Sequence, residues 1–554
     1  MRQVPGRWRR LVLVGVGVLI WCIAVISAVP QGTTAKSRLP ESEAAAKVVR
    51  IKAVTEKESL ALIDMGLDLL EMREGDDLFA IVSPAELKKL QQRGFDVRVD
   101  EAQTSLMQAQ LDQLTVLGGY RTVEEGYSLL ASAQSSYPNL AQVFTYGSSW
   151  DKVTAGGPAG YDLRGIVLTN KSRTGPKPPF VLISAIHARE MATAELSLRF
   201  INYLLSNYGT NADVTWLLDE HRVIVIPYVN PDGRKDAERG VYQRKNKDTV
   251  VAPCSSQTSS SQPGVDLNRN ARFKWGTVDK PTQSKCAQTY PGPTAGSEPE
   301  VQAIESYLGT VFADQRGSGD TDAAPATAEG VFISLHSYSD LVLWPWGWTN
   351  SLAPNNTDLA GLGRKFATYN SYTAQKSTAL YPTSGTTDDW TYGIFGVASY
   401  TFEVGGSSGS CGGFFPAFSC LDSGSNGNFW GRNLPAFLYA AKVARTPYQL
   451  HRGPDALSPA TASVSGGYRV TATINDTKNG NQAISAAELY VDTPPWRGGS
   501  PVSLSATDGA FNSTAEAVQG TVSGLSSGKH IVFVRGRDAG GNWGPVSAVF
   551  LTVP

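Results

Sequence analysis

From about residue 120 the chain alternates long segments of helical spacing with short, continuous apolar runs. Glu124 to Tyr137 and Thr193 to Asn207 have apolar positions at helical intervals, whereas Phe180 to Ile186 and Arg222 to Pro227 are unbroken apolar stretches with the length of buried strands. Buried strands joined through helices predict an α/β domain, with a parallel or mixed sheet covered by helices on both faces. Sites in such folds collect at the carboxyl ends of strands. The segment before it reads differently. Val48 to Val54 alternates, Glu58 to Met65 has helical spacing, Leu78 to Val82 is strand-like, Ser83 and Pro84 open a helix to Leu90, and Phe95 to Val99 closes with a strand. This order predicts a small α+β open sandwich, followed by a polar, Gln-rich link from Asp100 to Gln113. Past Ala444 the charged helical texture stops, and Pro454 to Pro459 reads as a linker. The strand runs Tyr468 to Ile474, Ala486 to Val491, His530 to Gly536 and Val546 to Val553, with Gly, Asn and Ser turns, predict an all-β sandwich of immunoglobulin or fibronectin-III character.

At 554 residues the chain exceeds one ordinary core, in keeping with several domains. A formal net charge of −1 gives no global field and no reason to expect a nucleic-acid partner, so local chemistry must select the ligand. Arg7, Arg9 and Arg10 precede an apolar run from Leu11 to Val29 that ends in Ile26-Ser27-Ala28, the arrangement of an export signal over residues 1–29. The run is close to a bilayer span, so an uncleaved membrane anchor is the alternative. Trp21 before Cys22 argues against a lipoprotein signal. With Cys22 assigned to the removable segment, Cys254, Cys286, Cys411 and Cys420 remain, which suits two disulfides in an oxidising compartment and leaves three pairings open.

Four islands carry the chemistry. His187 and Glu190 stand three apart in Ala-Ile-His-Ala-Arg-Glu, His336 lies in Leu-His-Ser-Tyr-Ser, and Glu403 in Tyr-Thr-Phe-Glu-Val. Two imidazoles and one carboxylate are a common ligand set for hydrolytic zinc, and a further carboxylate is then free to handle protons. Both histidines directly follow an apolar run, Phe180 to Ile186 and Val331 to Leu335, where an α/β sheet places its sites.

These islands, with Asn230-Pro-Asp-Gly, Arg244-Lys-Asn, Gly264-Val-Asp-Leu-Asn-Arg-Asn270 and Tyr381 in the same order, resemble the secreted zinc metallocarboxypeptidases of the A, B and T types over roughly Tyr120 to Ala444. The resemblance implies the metallocarboxypeptidase fold, a mixed eight-stranded sheet flanked by helices. It implies one zinc ion on His187, Glu190 and His336, Glu403 as the proton-transferring carboxylate, and Arg244 as the oxyanion donor. Asn268 and Arg269 would anchor the substrate's C-terminal carboxylate, Tyr381 would close on it, and Arg189 would guide the peptide inward. Asp388 falls at the base of the specificity pocket, where an acid favours Lys or Arg ends. Lys376 departs from the family pattern: turned inward, it would neutralise Asp388 and admit apolar ends, so the expected preference is basic or dual. The resemblance also favours Cys254 with Cys286, leaving Cys411 with Cys420, and gives the N-terminal segment the place of an inhibitory pro-region.

The expected organisation is therefore a signal at 1–29, a propeptide at 30–116 removed by an activating protease within the polar link, a catalytic domain at 117–446, a linker at 447–459 and a sandwich at 460–554. The expected product is an exported, monomeric peptidase acting on peptide C-termini. Nothing in the sequence supports calcium. A cell-wall peptidase cutting γ-linked peptides, or an inactive binding or adhesion protein, are the competing readings, and retention of Asn268, Arg269, Tyr381 and Glu403 speaks against both. His221, His451 and His530 lie outside every island and are expected at surface or structural positions, and Trp344-Pro-Trp-Gly-Trp348 as core packing.

Overall fold

The computed structural model describes residues 46–113, 118–255 and 258–554. The export segment and Cys22 lie outside the described residues. Among those described, no helix is long and apolar enough to cross a membrane.

The N-terminal part is the expected open sandwich with one strand more than the sequence pattern predicts. Strands β1 (Lys47–Lys52), β2 (Asp68–Glu74), β3 (Asp77–Val82) and β4 (Val97–Val99) form an antiparallel sheet in the order β2-β3-β1-β4. Helices α1 (Glu56–Asp64) and α2 (Pro84–Gln92) each start on a reciprocal cap, Thr55 with Glu58 and Ser83 with Glu86. The stretch expected as an exposed link is instead helix α3 (Glu101–Gln113), held to a later loop by Gln103 on the Ser407 carbonyl and Gln110 on the Gly412 carbonyl.

The central domain contains α4 (Val123–Ser136), β5 (Ala141–Ser148), β6 (Asp162–Leu168), β7 (Pro179–Ser184), α5 (Met191–Asn207), α6 (Ala212–Glu220) and β8 (Arg222–Ile226). It continues through α7 (Pro231–Ala237), α8 (Pro299–Val311), β9 (Val331–His336), β10 (Leu341–Trp344), α9 (Asn356–Asn370), β11 (Thr373–Lys376), α10 (Thr387–Phe395), β12 (Ala398–Glu403) and α11 (Phe429–Val443). The eight strands form one mixed sheet, β11-β10-β12-β9-β7-β8-β6-β5, parallel at its centre. Its central strands are apolar throughout because both faces are covered. Phe180 and Leu182 join the core shared with α5, α9 and α11, while their neighbours Val181 and Ile183 join the core formed with α8 and α10. Each such side chain contributes roughly 1.5–3 kcal/mol on burial. Trp344 and Trp346 are core residues as expected, with Trp346 stacked on Phe273 at 5.3 Å.

The C-terminal part is all antiparallel: β13 (Asp455–Val464), β14 (Gly467–Asn475), β15 (Ile484–Val491), β16 (Val502–Ala506), β17 (Ala515–Val522), β18 (Gly528–Asp538) and β19 (Ser547–Val553). Leu504 in β16 pairs with β15, whereas Ser505 and Ala506 pair with β17, so this strand joins two sheets into a barrel-like sandwich. Val470, Ile474, Leu489, Val518, Val532 and Val534 fill its interior. The expected linker at 447–459 is not a free segment: Pro447–Leu450 is a helical turn with Tyr448 buried, and β13 already begins at Asp455. Lys365 pairs with Asp455, Trp496 and Arg497 bond Glu220, and Lys442 bonds Asp213 and Ser547, fastening the sandwich to the central domain.

Candidate active site and metal centre

Three central strands end at the same place. His336 is the last residue of β9 and stands in register with Glu403, the last residue of β12, while His187 follows the end of β7. Glu190 directly precedes the first residue of α5, one turn from His187. All four are almost fully buried.

His187, Glu190 and His336 offer one ligand atom each within 4.8 Å of one another. His187 Nδ1 lies 2.7 Å from Glu190 Oε1 and 3.1 Å from His336 Nδ1, and Glu190 Oε2 is 3.3 Å from His336 Nδ1 without a hydrogen-bond partner of its own. Two imidazole nitrogens and a buried carboxylate oxygen facing one point, with that oxygen unsatisfied, suit a divalent cation with an affinity for nitrogen and oxygen. The far nitrogens are held as well. His187 Nε2 is 3.2 Å from Asp266 Oδ1, and His336 Nε2 is 3.0 Å from Ser334 Oγ, contacts that fix ring orientation and tautomer. Asp266 and Ser334 were not assigned roles from sequence. Their signal is positional: Asp266 sits inside the Asn-Arg island, and Ser334 is the one polar residue in the run Val331 to Leu335.

Glu403 has its Oε2 buried without a hydrogen-bond partner. Burial, then the nearby Glu71 and Glu190 carboxylates, push its pKa well above the ordinary carboxylate value, with Arg244 and Arg269 opposing. Arg244 is buried, not part of a solvated basic face, and its Nε donates to Asp266 at 3.0 Å. Asn268 Oδ1 accepts from Thr387 N and Oγ1, which turns the side-chain Nδ2 toward His336 at 3.5 Å. Arg269 is balanced by Asp279 at 3.2 Å. Tyr381 and Asp388 line the same cavity as His187, His336, Glu403, Arg244, Asn268 and Arg269, Glu190 joins it through the ligand cluster, and Arg189 is not among its lining residues. Asp388 is buried, and Ser377, Thr386 and Thr401 line the same cavity. Lys376 turns away and donates to the Asn350 carbonyl at 2.6 Å, leaving Asp388 without that neutralising partner.

The N-terminal domain fills the mouth. Both Nη atoms of Arg189 donate to Asp68, at 2.7 and 2.8 Å, and Arg244 Nη1 donates to Glu71 Oε1 at 2.8 Å. Both acids lie on β2, the strand missed by the sequence pattern. Leu380 and Tyr381 pack into one apolar cluster with Val49, Ile51 and Leu69 of the N-terminal domain, and the space left is about 40 Å³. Cys254 is bonded to Cys286 and Cys411 to Cys420, and the second bridge closes the loop that α3 grips.

Residues 126–429 match the zinc carboxypeptidase family model. A zinc carboxypeptidase of Saccharothrix mutabilis subsp. capreolus is 28% identical over 74% of this chain and 91% of its own length. Carboxypeptidase A2 of Mus musculus is 28% identical over 52% of this chain, which spans 63% of that relative. The crystal structure of carboxypeptidase A from Helicoverpa armigera superimposes with a TM-score of 0.56 at 21% identity, covering 72% of this chain and 97% of that one, a likeness of fold. With the family model matched across more than half of its length and the ligand set assembled at the ends of β7 and β9, the chain belongs to the zinc carboxypeptidase family.

Proposed function

We propose that this protein is an exported zinc carboxypeptidase, made latent by its N-terminal domain, that removes basic or both basic and hydrophobic residues from peptide C-termini. The observation that carries this reading is the meeting of His187, Glu190 and His336 with Glu403, Asn268 and Arg269 at one cavity. When bound to the three ligands, zinc would supply a water of lowered pKa and an electrophile for the scissile carbonyl.

The remaining roles belong to side chains of this chain. Asn268 and Arg269 bind the free carboxylate of the substrate and so fix which bond is presented. Tyr381 closes over that group and excludes water. Glu403, whose buried carboxyl holds a proton more tightly than an ordinary carboxylate, takes one from the attacking water and gives it to the departing amine. Arg244, charged at every working pH, donates to the oxygen on which negative charge develops. Asp388, which Lys376 does not neutralise, offers a carboxylate to an incoming ammonium or guanidinium.

Latency is supported by the two acids of β2, since Glu71 occupies Arg244 and Asp68 occupies Arg189. A substrate needs those arginines, so the N-terminal domain must leave first. The test is release of single residues from peptides ending in Lys, Arg, Phe and Leu by protease-treated protein. Loss of that release on chelation is expected.

A further inference from the structure

At the opposite end of the sheet from the metal ligands, the central domain and the sandwich enclose a cavity of about 540 Å³. His221 lines it, one residue before β8, together with Arg445, next to the residue whose carbonyl bonds Gly330 just ahead of β9. Lys442 and Arg452 add positive charge from the central domain and Arg535 from the sandwich. No acidic side chain is among the lining residues.

Three of these cations have a carboxylate behind them: Asp213 for Lys442, Asp358 for Arg452 and Glu488 for Arg535. Arg445 does not. Among the described residues no carboxylate lies within ion-pair distance of it, its Nε is buried without a partner, and its one bond is a long 3.4 Å contact to the Glu220 carbonyl. The Glu220 carboxylate that could have served is taken by Trp496 and Arg497. The guanidinium instead lies over the Trp496 ring at 4.8 Å.

His221 carries the second observation. It is 1% exposed, and neither ring nitrogen has a hydrogen-bond partner. Burial, then Arg445, holds the ring in its neutral form, with one N–H to donate. A buried imidazole N–H and an unpaired guanidinium, on two residues that line one cavity, are each costly as they stand. One group answers both: an oxygen anion that accepts from each.

We propose that this junction is a binding site for an oxyanion, a carboxylate or phosphate group, gripped by Arg445 and His221 in the field of Lys442, Arg452 and Arg535. The group comes either as a small free anion or as a repeating unit of an anionic polymer. Because the walls come from both domains, occupancy fastens the sandwich to the central domain. It leaves the catalytic cleft, at the far ends of the strands, untouched.

Calorimetric titration of the full chain tests this, with inorganic phosphate, galacturonate and polygalacturonate as probes. Arg445→Met, His221→Leu and the exposed-charge control Lys88→Met are compared with wild type. The expected result is one small-anion site per chain with a Kd of about 1 mM or tighter, weakened about tenfold or more in either cavity variant and unchanged in the control. Peptidase activity after protease treatment should be the same in all four proteins. Polymer binding no tighter per carboxylate than galacturonate assigns the site to small anions, and markedly tighter binding assigns it to the polymer. Should Arg445→Met fail to fold, the His221→Leu comparison stands alone. Absence of one-site binding of phosphate and galacturonate to wild type, or equal binding by wild type and the cavity variants, overturns the proposal.

Discussion

Asp68 and Arg189, 121 residues apart and both fully buried, form a two-bond ion pair at 2.7 and 2.8 Å that ties the N-terminal domain to the metal-ligand turn. Arg189 also lies over the Phe414 ring at 4.0 Å, so its guanidinium is held from two sides. A buried pair of this kind adds little net stability, but removing one partner leaves the other charged and unpaired, at a cost of ~3–5 kcal/mol. Asp68→Asn, which keeps the shape and removes the charge, is therefore expected to loosen the N-terminal domain. Intact, uncleaved Asp68→Asn protein should hydrolyse peptide at least tenfold faster than intact wild type, and Asp68→Asn with Glu71→Gln faster still. Equal residual rates would leave the domain as a folding aid.

The site of activating cleavage follows from α3. A helix whose Gln103 and Gln110 grip the loop at residues 407–412 is a poor protease substrate, so the cut is expected beyond Gln113 and before Tyr120. N-terminal sequencing of the activated form reads this directly. A start inside α3 would show that the helix unfolds before cleavage.

Asp266 holds His187 through Nε2 and Arg244 through Nε, so one carboxylate orients both a member of the metal-ligand set and the guanidinium proposed as oxyanion donor. Asp266→Asn should lower zinc affinity by roughly 10–100-fold, measured by competition with a chelator. His336→Ala should abolish stoichiometric zinc altogether. Full zinc retention in His336→Ala would refute the ligand set.

Glu403→Gln should retain zinc and fold while turnover falls by roughly 10²–10⁴-fold, because the proton-transferring group is lost and its volume kept. A near-normal turnover number would remove Glu403 from the reaction.

Much of this site is legible in the sequence because strand ends are. The unbroken apolar runs before His187 and His336 mark buried central strands, and an α/β sheet places its chemistry where such runs stop. β2 is not legible by the same rule. Its Asp68, Glu71 and Arg73 interrupt any alternation, and the two acids are buried only because Arg189 and Arg244, far along the chain, come to meet them. α3 is hidden for a related reason, since its Gln side chains suit a solvated link until the 407–412 loop supplies carbonyls to bind. His221 reads as an ordinary histidine, and its burial at a domain junction depends on contacts that no local pattern encodes. The direction of Lys376 is equally a tertiary matter, decided by the Asn350 carbonyl.

With Lys376 turned away, the proposed function makes Asp388 the charge that sets side-chain preference. Truncating one partner of a desolvated charge pair typically costs ~2–5 kcal/mol, so Asp388→Ala should depress kcat/KM for Lys and Arg ends and leave or raise it for Phe and Leu ends. A parallel fall for both classes would make Asp388 structural.

The account rests most heavily on recognition of a free C-terminal carboxylate by Asn268 and Arg269, and one comparison tests it: protease-activated protein against a peptide ending in Lys and the same peptide amidated, with chelator added and zinc restored. The account predicts release of a single Lys from the free peptide, abolished by chelator and recovered with zinc, and little or none from the amide. Equal hydrolysis of the two peptides, or cleavage at internal bonds, would contradict it.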